Sequence, residues 1–506
     1  MTWGSGVQMP DANFDWKLLA PEYILVAWAG GLIMLDLFWP AKGLGRWKQL
    51  DKEWLGYIAA AGALISVLVS LIWVDNDTNF AGLVDINDYT TLFRVFFGLI
   101  GVFACLASAR YVKDRLLHAG EYYAFILLAL VGANGMAAAS ELLTAYISLE
   151  LLSFSLYVLT AYAKFDLRSN EGGLKYMLLG AFSSALLLYG IGLIYGTTGS
   201  THFSEIGSAL SKDTGGIDEA LFLGLALIMA GLGFKVAAVP FHMWTPDAYE
   251  GAPLPVTALI SAISKSGGFA LFLKLFAEAF EPKIDDWRYF IAGLSVATMV
   301  LGNLVAIQQS NIKRLLAYSS IGQVGYLLMG IAALSPESGS ALVLHMMGYV
   351  VTNLAAFVCV IIYYNWTGKE EIKDFAGLRD TAPFLALSLS IALFSLAGMP
   401  LFAGFATKFI LFQAAADQDL LWLAGVAVTM SFVSLYYYLV IIKEMFLGKA
   451  EAAASMPVPW VEYGALALLV AGVLFIGLYP APLLDWVDGS TADVFAGVGR
   501  AAVAGQ

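Results

Sequence analysis

Cysteine is scarce in this chain of 506 residues, which has only two: Cys105 and Cys359, each alone in an apolar run. Two isolated thiols exclude a disulfide framework and leave no thiolate cluster for zinc or for an iron–sulfur centre. Histidine is also rare, with four residues. We therefore expect no metal and no cofactor on this chain.

Charge is scarce as well. Only 13% of the residues are charged, and the formal net charge is −12. No basic run suits nucleic acid, so nucleic-acid partners are excluded. The segment before the first apolar run carries acids and no basic stretch, so we expect no cleavable signal and a first span that also directs insertion.

Apolar residues make up 60% of the chain and the mean hydropathy is +0.76, well above an ordinary globular domain. Continuous runs of about 20 apolar residues recur, each long enough to cross a hydrocarbon core. Continuous runs indicate helices rather than a barrel. The sequence predicts an all-α polytopic membrane protein embedded in a lipid bilayer, with about 14 transmembrane helices. The predicted spans are 18–38, 53–74, 90–109, 121–139, 142–162, 174–197, 217–245, 253–277, 288–308, 314–334, 341–365, 381–416, 420–442 and 460–481.

Lysine and arginine concentrate in alternate connections, which identifies those connections as cytoplasmic. This basic set begins with the connection that carries Lys42, Arg46 and Lys48. The opposite connections are poor in basic residues and rich in acids. We therefore predict that both termini lie on the non-cytoplasmic side.

Two of the predicted spans carry a proline in mid-run: Pro240 in GLGFKVAAVPFHMW and Pro400 in SLAGMPLFAGFATKF. A proline removes one helical hydrogen bond and clashes with the preceding turn, so each helix should break there and leave free carbonyls. Paired broken helices at matching places indicate a transporter built from internal repeats.

The chain can be aligned with itself to test for such repeats. Residues 175–196 align with residues 344–365, and the same alignment brings Tyr157 onto Tyr326. A unit of five spans, repeated, places the two copies in opposite orientations, which predicts two inverted five-helix repeats. The predicted organisation is a three-helix N-terminal segment, two repeats, and a C-terminal helix with its tail. The boundaries are 1–120, 121–280, 281–447 and 448–506.

Four ionisable residues fall near the middle of spans: Glu150, Lys235, Lys265 and Lys408. Such groups are costly in a membrane and usually mark an ion or proton pathway. A desolvated lysine loses proton affinity and a nearby carboxylate restores it, so a glutamate and a lysine that approach and separate form a proton valve. The alternative is that these groups are buried ion pairs that only fix helix packing.

Two histidines, His345 and His242, could bridge gaps in this line as neutral relays. Arg94 and Lys274 lie near span ends, and we expect structural roles for both. Lys274 is four residues before Glu278, and both cations can snorkel to the interface or pair locally.

Three stretches carry a family resemblance: VPFHMWTPDAYEGAPLPVTA (239–258), NIKRLLAYSSIGQVGY (311–326) and SLELLSFSLYVL (148–159). They resemble the antiporter-like membrane subunits of respiratory complex I, and WTPDAYEGAP resembles the N-type subunit. The resemblance covers residues from about 20 to 480.

The resemblance implies residue roles. Glu150 is similar to the fifth-span glutamate, and Lys235 to the seventh-span lysine that pairs with it. Lys265 is similar to the central lysine of the eighth span, and Lys408 to the twelfth-span lysine near the exit. Glu141 lies where the N-type often has aspartate and is a secondary relay candidate.

The implied function is proton translocation in a redox-driven NADH:quinone oxidoreductase of the bacterial inner membrane, with redox chemistry on other subunits. The implied partners are the M-type and smaller membrane subunits and the hydrophilic arm. One alternative is a subunit of a multisubunit exchanger of Na⁺ or K⁺ for protons. A second alternative is a purely structural subunit.

Overall fold

The computed structural model of the chain describes a defined set of residues, with side chains up to residue 496. The described ranges are 15–38, 52–74, 78–212, 218–449, 456 and 458–504. The predicted cytoplasmic connection with Lys42, Arg46 and Lys48 lies outside these ranges, as do the first 14 residues.

Within the described ranges the fold is almost entirely helical. One antiparallel hairpin, Thr78–Phe80 (β1) with Val84–Ile86 (β2), pairs Asn79 with Asp85 at its centre. The helices, in chain order, are α1 Ala20–Phe38, α2 Glu53–Ile72, α3 Asp88–Arg115, α4 Ala119–Ala138, α5 Leu142–Thr160, α6 Leu167–Thr198, α7 Phe203–Lys212, α8 Glu219–Val236, α9 Trp244–Gly251, α10 Leu254–Leu259, α11 Lys265–Leu275, α12 Ile284–Ala306, α13 Ile312–Ala332, α14 Pro336–Thr367, α15 Leu378–Thr381, α16 Pro383–Ala397, α17 Ala403–Asp417, α18 Leu421–Leu447, α19 Trp460–Leu478 and α20 Ala481–Ala504. Short π-helical turns, Ile260–Ser264 and Phe276–Phe280, flank α11.

Twelve helical segments of the described chain are long and apolar enough to cross a membrane, which confirms the all-helical membrane class. One of the twelve, Leu254–Ala306, is 53 residues long and contains two of the predicted spans. A further predicted span is divided between α16 and α17, of 15 residues each. The total of about 14 spans therefore stays a prediction.

Helices α13 and α14 form the centre of the bundle, because almost all of their apolar windows are buried by other helices. Most of α6 and α18 instead faces outward. Polar side chains in the middle of α13 and α14 are therefore mostly buried against other helices.

Both helix breaks lie where the prolines predict them. Helix α8 ends at Val236, and Ala237 adopts a left-handed conformation (φ 68°) three residues before Pro240. Helix α16 ends before Gly398, which is also left-handed (φ 84°), two residues before Pro400. A left-handed residue reverses the chain after a helix end, so each break separates two distinct arms.

Several helices lie outside the predicted spans and were missed in the sequence: α7, α15, α20 and most of α9. The segment 246–252, predicted as a loop, is mostly the helix α9, in which Pro246 occupies the first turn, where its missing N–H costs nothing. Helix α20 extends beyond the last predicted span. Its acidic residues, among them Asp485, Asp488 and Asp493, interrupt the apolar run, so it was not predicted as a span.

The aligned halves share local features that the alignment did not use. Helices α6 and α14, which the alignment superposes, are both 32 residues long, and both end at a left-handed glycine, Gly199 and Gly368. This agreement in length and capping supports a repeat.

Two isolated bridges give a second correspondence between the halves. Glu141 bridges to His202 just after α6, and Asn311 bridges to Glu371 just after α14. Both Glu141 and Asn311 also cap the helix that follows, α5 and α13 respectively, with their side chains. On the predicted topology these bridges lie on opposite sides of the membrane, as an inverted repeat requires.

Two buried cations outside the midplane have distant partners. The Arg94 guanidinium binds Glu22 of α1 with an Nη2–Oε2 distance of 2.8 Å. The fully buried Lys274 binds Asp85 of the hairpin, with Nζ 3.1 Å from Oδ2, and has no ion pair with Glu278 within 4.0 Å. The local pairing with Glu278 that the sequence allowed is therefore not the ion pair that forms, because the hairpin folds over the end of α11 and supplies a nearer carboxylate.

We expect Asp85→Ala to lower the thermal denaturation midpoint of the purified complex clearly. Removing one partner of a buried pair leaves an unpaired charge and costs about 3 kcal/mol. Asp380→Ala is the control, because Asp380 pairs with Arg379 where both side chains are at least half exposed. That variant should cost less than about 1 kcal/mol. Equal midpoints for the two variants would contradict the assignment.

Candidate functional site: a line of buried ionisable side chains

The three mid-span lysines are all buried inside the bundle. Lys235, Lys265 and Lys408 expose 2%, 1% and 3% of their surfaces. No carboxylate of the described chain lies within 4.0 Å of their Nζ atoms. Their charge is therefore held by neutral oxygen atoms.

Glu150, at the start of the line, lies on α5 and is half-buried. Its carboxylate accepts a short hydrogen bond from Ser184 of α6. Ile147 and Phe154, one turn before and after it, expose 66% and 58% of their surfaces. Glu150 thus lies near the outer edge of the bundle, on a helix face that is largely open.

Lys235 lies near the end of α8, next to the first break. Its Nζ donates to Ser153 Oγ at 2.9 Å, and Ser153 is one turn from Glu150 on α5. The structure brings the predicted pair to neighbouring positions without a direct ion pair between Glu150 and Lys235 within 4.0 Å.

The carbonyls that the first break frees are satisfied by side chains. Trp244 Nε1 donates to the Phe234 carbonyl at 3.0 Å, and Ser264 Oγ donates to the Lys235 carbonyl at 3.0 Å. Both carbonyls belong to the last turn of α8, where i→i+4 partners run out. The Phe234 carbonyl also accepts from the Ala237 amide at 3.1 Å.

Lys265 begins α11, directly after the π-helical turn. Its Nζ donates to the Tyr249 hydroxyl at 2.6 Å and to Ser320 Oγ at 2.8 Å. It also lies 5.0 Å from the centre of the Tyr249 ring, in cation–π range. Tyr249 belongs to α9 and Ser320 to α13, so the ammonium joins three helices.

Polar groups continue from this turn onto the central helix α14. Tyr349 donates to the Ser261 carbonyl at 3.3 Å, and Asn353 Nδ2 donates to Ser261 Oγ at 2.5 Å. His345 is one turn before Tyr349 on the same helix. The π-helical turn therefore links the neighbourhood of Lys265 to α14.

His345 is buried next to the last lysine of the line. Its Nδ1 lies 3.0 Å from Thr407 Oγ1, and Thr407 directly precedes Lys408. Its Nε2 is buried and has no hydrogen-bond partner in the described chain. The Tyr326 ring lies between the two, 6.3 Å from the His345 ring and 4.7 Å from Lys408 Nζ.

Lys408 follows the second break and uses a carbonyl that the break frees. Its Nζ donates to the Leu396 carbonyl at 2.8 Å and to Ser431 Oγ at 3.2 Å. Gln323 Nε2 also donates to the Leu396 carbonyl, at 3.2 Å. Lys408 also lines a small cavity of about 180 Å³ with apolar walls, among them Phe405.

The other two relay candidates, His242 and Glu141, lie away from these contacts. His242 lies in the first break, and its Nδ1 is buried without a hydrogen-bond partner in the described chain. Glu141 caps α5 by accepting hydrogen bonds from the Leu143 and Thr144 amides. Burial alone would raise the pKa of Glu141, but hydrogen bonds from Thr144 and Leu143 outweigh it and lower the pKa.

Sequence reasoning missed the neutral partners of the lysines. Ser153, Tyr249, Ser320 and Ser431 drew no attention individually, because serine and tyrosine are common in helices. Tyr249 was visible only as part of the WTPDAYEGAP motif. Tyr326 was the exception, because the internal alignment singled it out.

These elements define a class: a polytopic helical membrane protein in which two broken helices and a line of buried lysines share one bundle. The family described as NADH:quinone oxidoreductase/Mrp antiporter, TM, matches residues 139–434. Over 482 residues the chain is 41% identical to NADH-quinone oxidoreductase subunit N of Moorella thermoacetica, covering 94% of this chain and 98% of that protein. The chain belongs to the family of NADH-quinone oxidoreductase subunit N.

Solved structures agree with this family. A chain of respiratory complex I from Thermus thermophilus matches with a TM-score of 0.75 and 28% identity, covering 92% of this chain and 98% of that one. A chain of the membrane-bound sulfane sulfur reductase, an archaeal respiratory membrane complex, matches with a TM-score of 0.82 and 26% identity, covering 96% and 99%. The bundle is therefore the fold of antiporter-like membrane subunits.

We expect Gly404→Ala to disturb the second break and to reduce proton translocation. A methyl group at Gly404 would clash with the Ser395 carbonyl oxygen and force α17, which carries Lys408, away from α16. Such overpacking costs about 1–3 kcal/mol. The measurements are proton pumping and the thermal midpoint of the complex.

Gly425→Ala on α18 is the matched control, because nothing lies within 4 Å of its added methyl group. It should leave both quantities unchanged. A Gly404→Ala complex that behaves like this control would show that the close approach of α16 and α17 is dispensable.

Proposed function

We propose that this chain is a proton-translocating membrane subunit of an NADH:quinone oxidoreductase, and that protons cross it along Glu150, Lys235, Lys265 and Lys408. Membership of the subunit N family supports the first part. The observation that carries the second is that each of the three lysines is buried, and that each is bound by neutral oxygen atoms rather than by a carboxylate.

The first step is a switch between Glu150 and Lys235. With the Glu150 carboxylate close, the ammonium form of Lys235 is favoured; when the two separate, burial disfavours the charge and the proton leaves. Ser153, one turn from Glu150, holds the ammonium in the separated arrangement. A modest movement between α5 and α8 therefore suffices to redirect a proton.

Transfer then runs through the centre of the bundle. Lys265 receives the proton, and the polar groups on α14 extend toward His345, beside Thr407 and Lys408. Hydroxyl groups both donate and accept, so Tyr349 and Thr407 can take part in such a chain together with water. His345 acts as a neutral relay, and Lys408 releases the proton outward.

The partners follow from the relatives. The matched structures include a respiratory complex I, which supports other subunits of such a complex as partners. We propose that an M-type neighbour and a hydrophilic arm are among them. The complex lies in the bacterial inner membrane, and both termini of this chain lie on the non-cytoplasmic side. Hydride, electron and quinone chemistry belong to the other subunits.

For this function we propose the organisation predicted from the sequence. A three-helix segment (1–120) precedes two inverted five-helix repeats (121–280 and 281–447), and a C-terminal helix and tail follow (448–506). The matching lengths of α6 and α14 and the two corresponding bridges support this division. Each repeat contributes one broken helix.

We expect Lys265→Met to abolish most proton translocation by the complex reconstituted in vesicles. Methionine fills a similar volume, and an apolar replacement of a buried charge is often tolerated by the fold. The measurement is the proton gradient per NADH oxidised. Lys369→Met is the control, because Lys369 lies in a half-exposed pair with Asp374. Near-normal pumping by Lys265→Met would defeat the proposed path.

The same vesicles test the exchanger alternative. If the line served exchange of Na⁺ or K⁺, a cation gradient without NADH or quinone would drive proton flux through wild-type complex. We expect no cation-dependent flux under these conditions. A flux that Lys265→Met removes would favour the exchanger.

A further inference from the structure

Helix α9 has a buried edge and an edge at the cytoplasmic surface. On the buried edge, Tyr249 is fully enclosed and its hydroxyl binds Lys265. On the other edge, Asp247 and Glu250 are partly exposed, with 32% and 27% of their side-chain surfaces accessible. These acids are therefore within reach of the aqueous side, two residues before and one residue after Tyr249.

The exposed edge belongs to an ion-pair cluster. Asp247 binds Lys175 of α6 at 2.8 Å and Arg314 of α13 at 3.1 Å, and Glu250 binds Arg314 at 2.7 Å. Burial alone would raise the pKa of Asp247, but hydrogen bonds from Lys175 and Arg314 outweigh it and lower the pKa. Asp247 therefore stays ionised at neutral pH, and the cluster ties α9 to both α6 and α13.

Close packing makes α9 move as one body. A Cβ atom on Gly172 of α6 would lie only 2.8 Å from the Asp247 carbonyl oxygen, so the two backbones are in contact. The Trp244 ring stacks on Tyr176 of α6 with centres 4.1 Å apart and planes 8° apart. Thr257 Oγ1 donates to the Tyr249 carbonyl at 2.9 Å. A shift at the cluster therefore reaches the Tyr249 hydroxyl.

We infer that Tyr249 is a positioning residue that links the cytoplasmic ion-pair cluster to Lys265. Its hydroxyl fixes the Lys265 ammonium, and Asp247 and Glu250 fix the helix that carries the hydroxyl. The state of the cluster at the membrane surface thereby sets the place of the central lysine. This inference rests on the proposed proton path. It adds that the ion-pair cluster at the membrane surface controls the position of Lys265 on that path.

The primary test is Tyr249→Phe in the whole complex, reconstituted in vesicles. Phenylalanine keeps the ring over Lys265 and removes only the hydroxyl. A hydrogen bond to a charged group changes an equilibrium about tenfold or more, so we expect the initial rate of pumping to fall by about tenfold. NADH oxidation by an artificial acceptor that bypasses quinone should be unchanged, which shows that the electron input is intact, and the amount of this chain in the purified complex reports assembly.

A second readout separates positioning from a structural defect. If Lys265 is misplaced, proton transfer limits pumping, and the ratio of rates in H₂O and D₂O should rise in Tyr249→Phe. A structural defect would lower both rates in proportion. Tyr122→Phe is the matched control, since Tyr122 is also fully buried and its hydroxyl contacts Ser108 at 3.1 Å, away from the line. It should behave as wild type.

The link to the cluster is tested by a double-mutant cycle. Asp247→Asn should lower pumping in the wild-type background and have little further effect in the Tyr249→Phe background, because both changes act on Lys265. Fully additive effects would overturn the coupling. If Tyr249→Phe does not assemble, Ser320→Ala removes the other acceptor of Lys265 and should give the same rise in the isotope ratio.

The outcomes also separate this inference from the proposed path. Normal pumping by Tyr249→Phe, with pumping lost in Lys265→Met, would overturn the role of Tyr249 and keep the path. Normal pumping in both variants would overturn both.

Discussion

The structure depends on one constraint: an ammonium group inside a membrane bundle needs acceptors for its hydrogen atoms, and these acceptors must not trap its proton. An unpaired charge there is costly. The acceptors are neutral throughout: Ser153 for Lys235, Tyr249 and a serine for Lys265, and a carbonyl and a serine for Lys408. The charge is thus solvated by the protein without being neutralised.

Broken helices can serve this constraint. In an intact helix the backbone carbonyls accept hydrogen bonds from the helix's own N–H groups, so none is available to an ammonium group. The two breaks use their free carbonyls differently. At the first, Trp244 and Ser264 occupy them, so Lys235 turns to α5 and to the neighbourhood of Glu150. At the second, Lys408 itself occupies the Leu396 carbonyl. The two breaks therefore lie beside lysines that are held differently, Lys235 by a side chain of α5 and Lys408 by the backbone.

The sequence predicted the parts of this design that carry a strong local signal. A lysine or a glutamate in an apolar run, and a proline in mid-span, stand out against their surroundings. The sequence therefore predicted both breaks and offered Glu150, Lys235, Lys265 and Lys408 as candidates. Features set by distant contacts were not. The partners of Arg94 and Lys274 are far away in the chain, and the serines and tyrosines that bind the lysines gain their meaning only from the packing of α5, α9 and α13.

Glu150, the one carboxylate in the line, lies in different surroundings from the three lysines. A carboxylate beside a buried ammonium would hold it in a deep electrostatic well, whereas a hydroxyl stabilises it and can also pass a proton on. Neutral acceptors accordingly occupy the packed interior, where little can move. Glu150 lies at the half-open edge of the bundle between exposed Ile147 and Phe154, where its surroundings can change. On the proposed path, the strong interaction is thus placed where it can be made and broken, and the weaker ones where protons are only passed on.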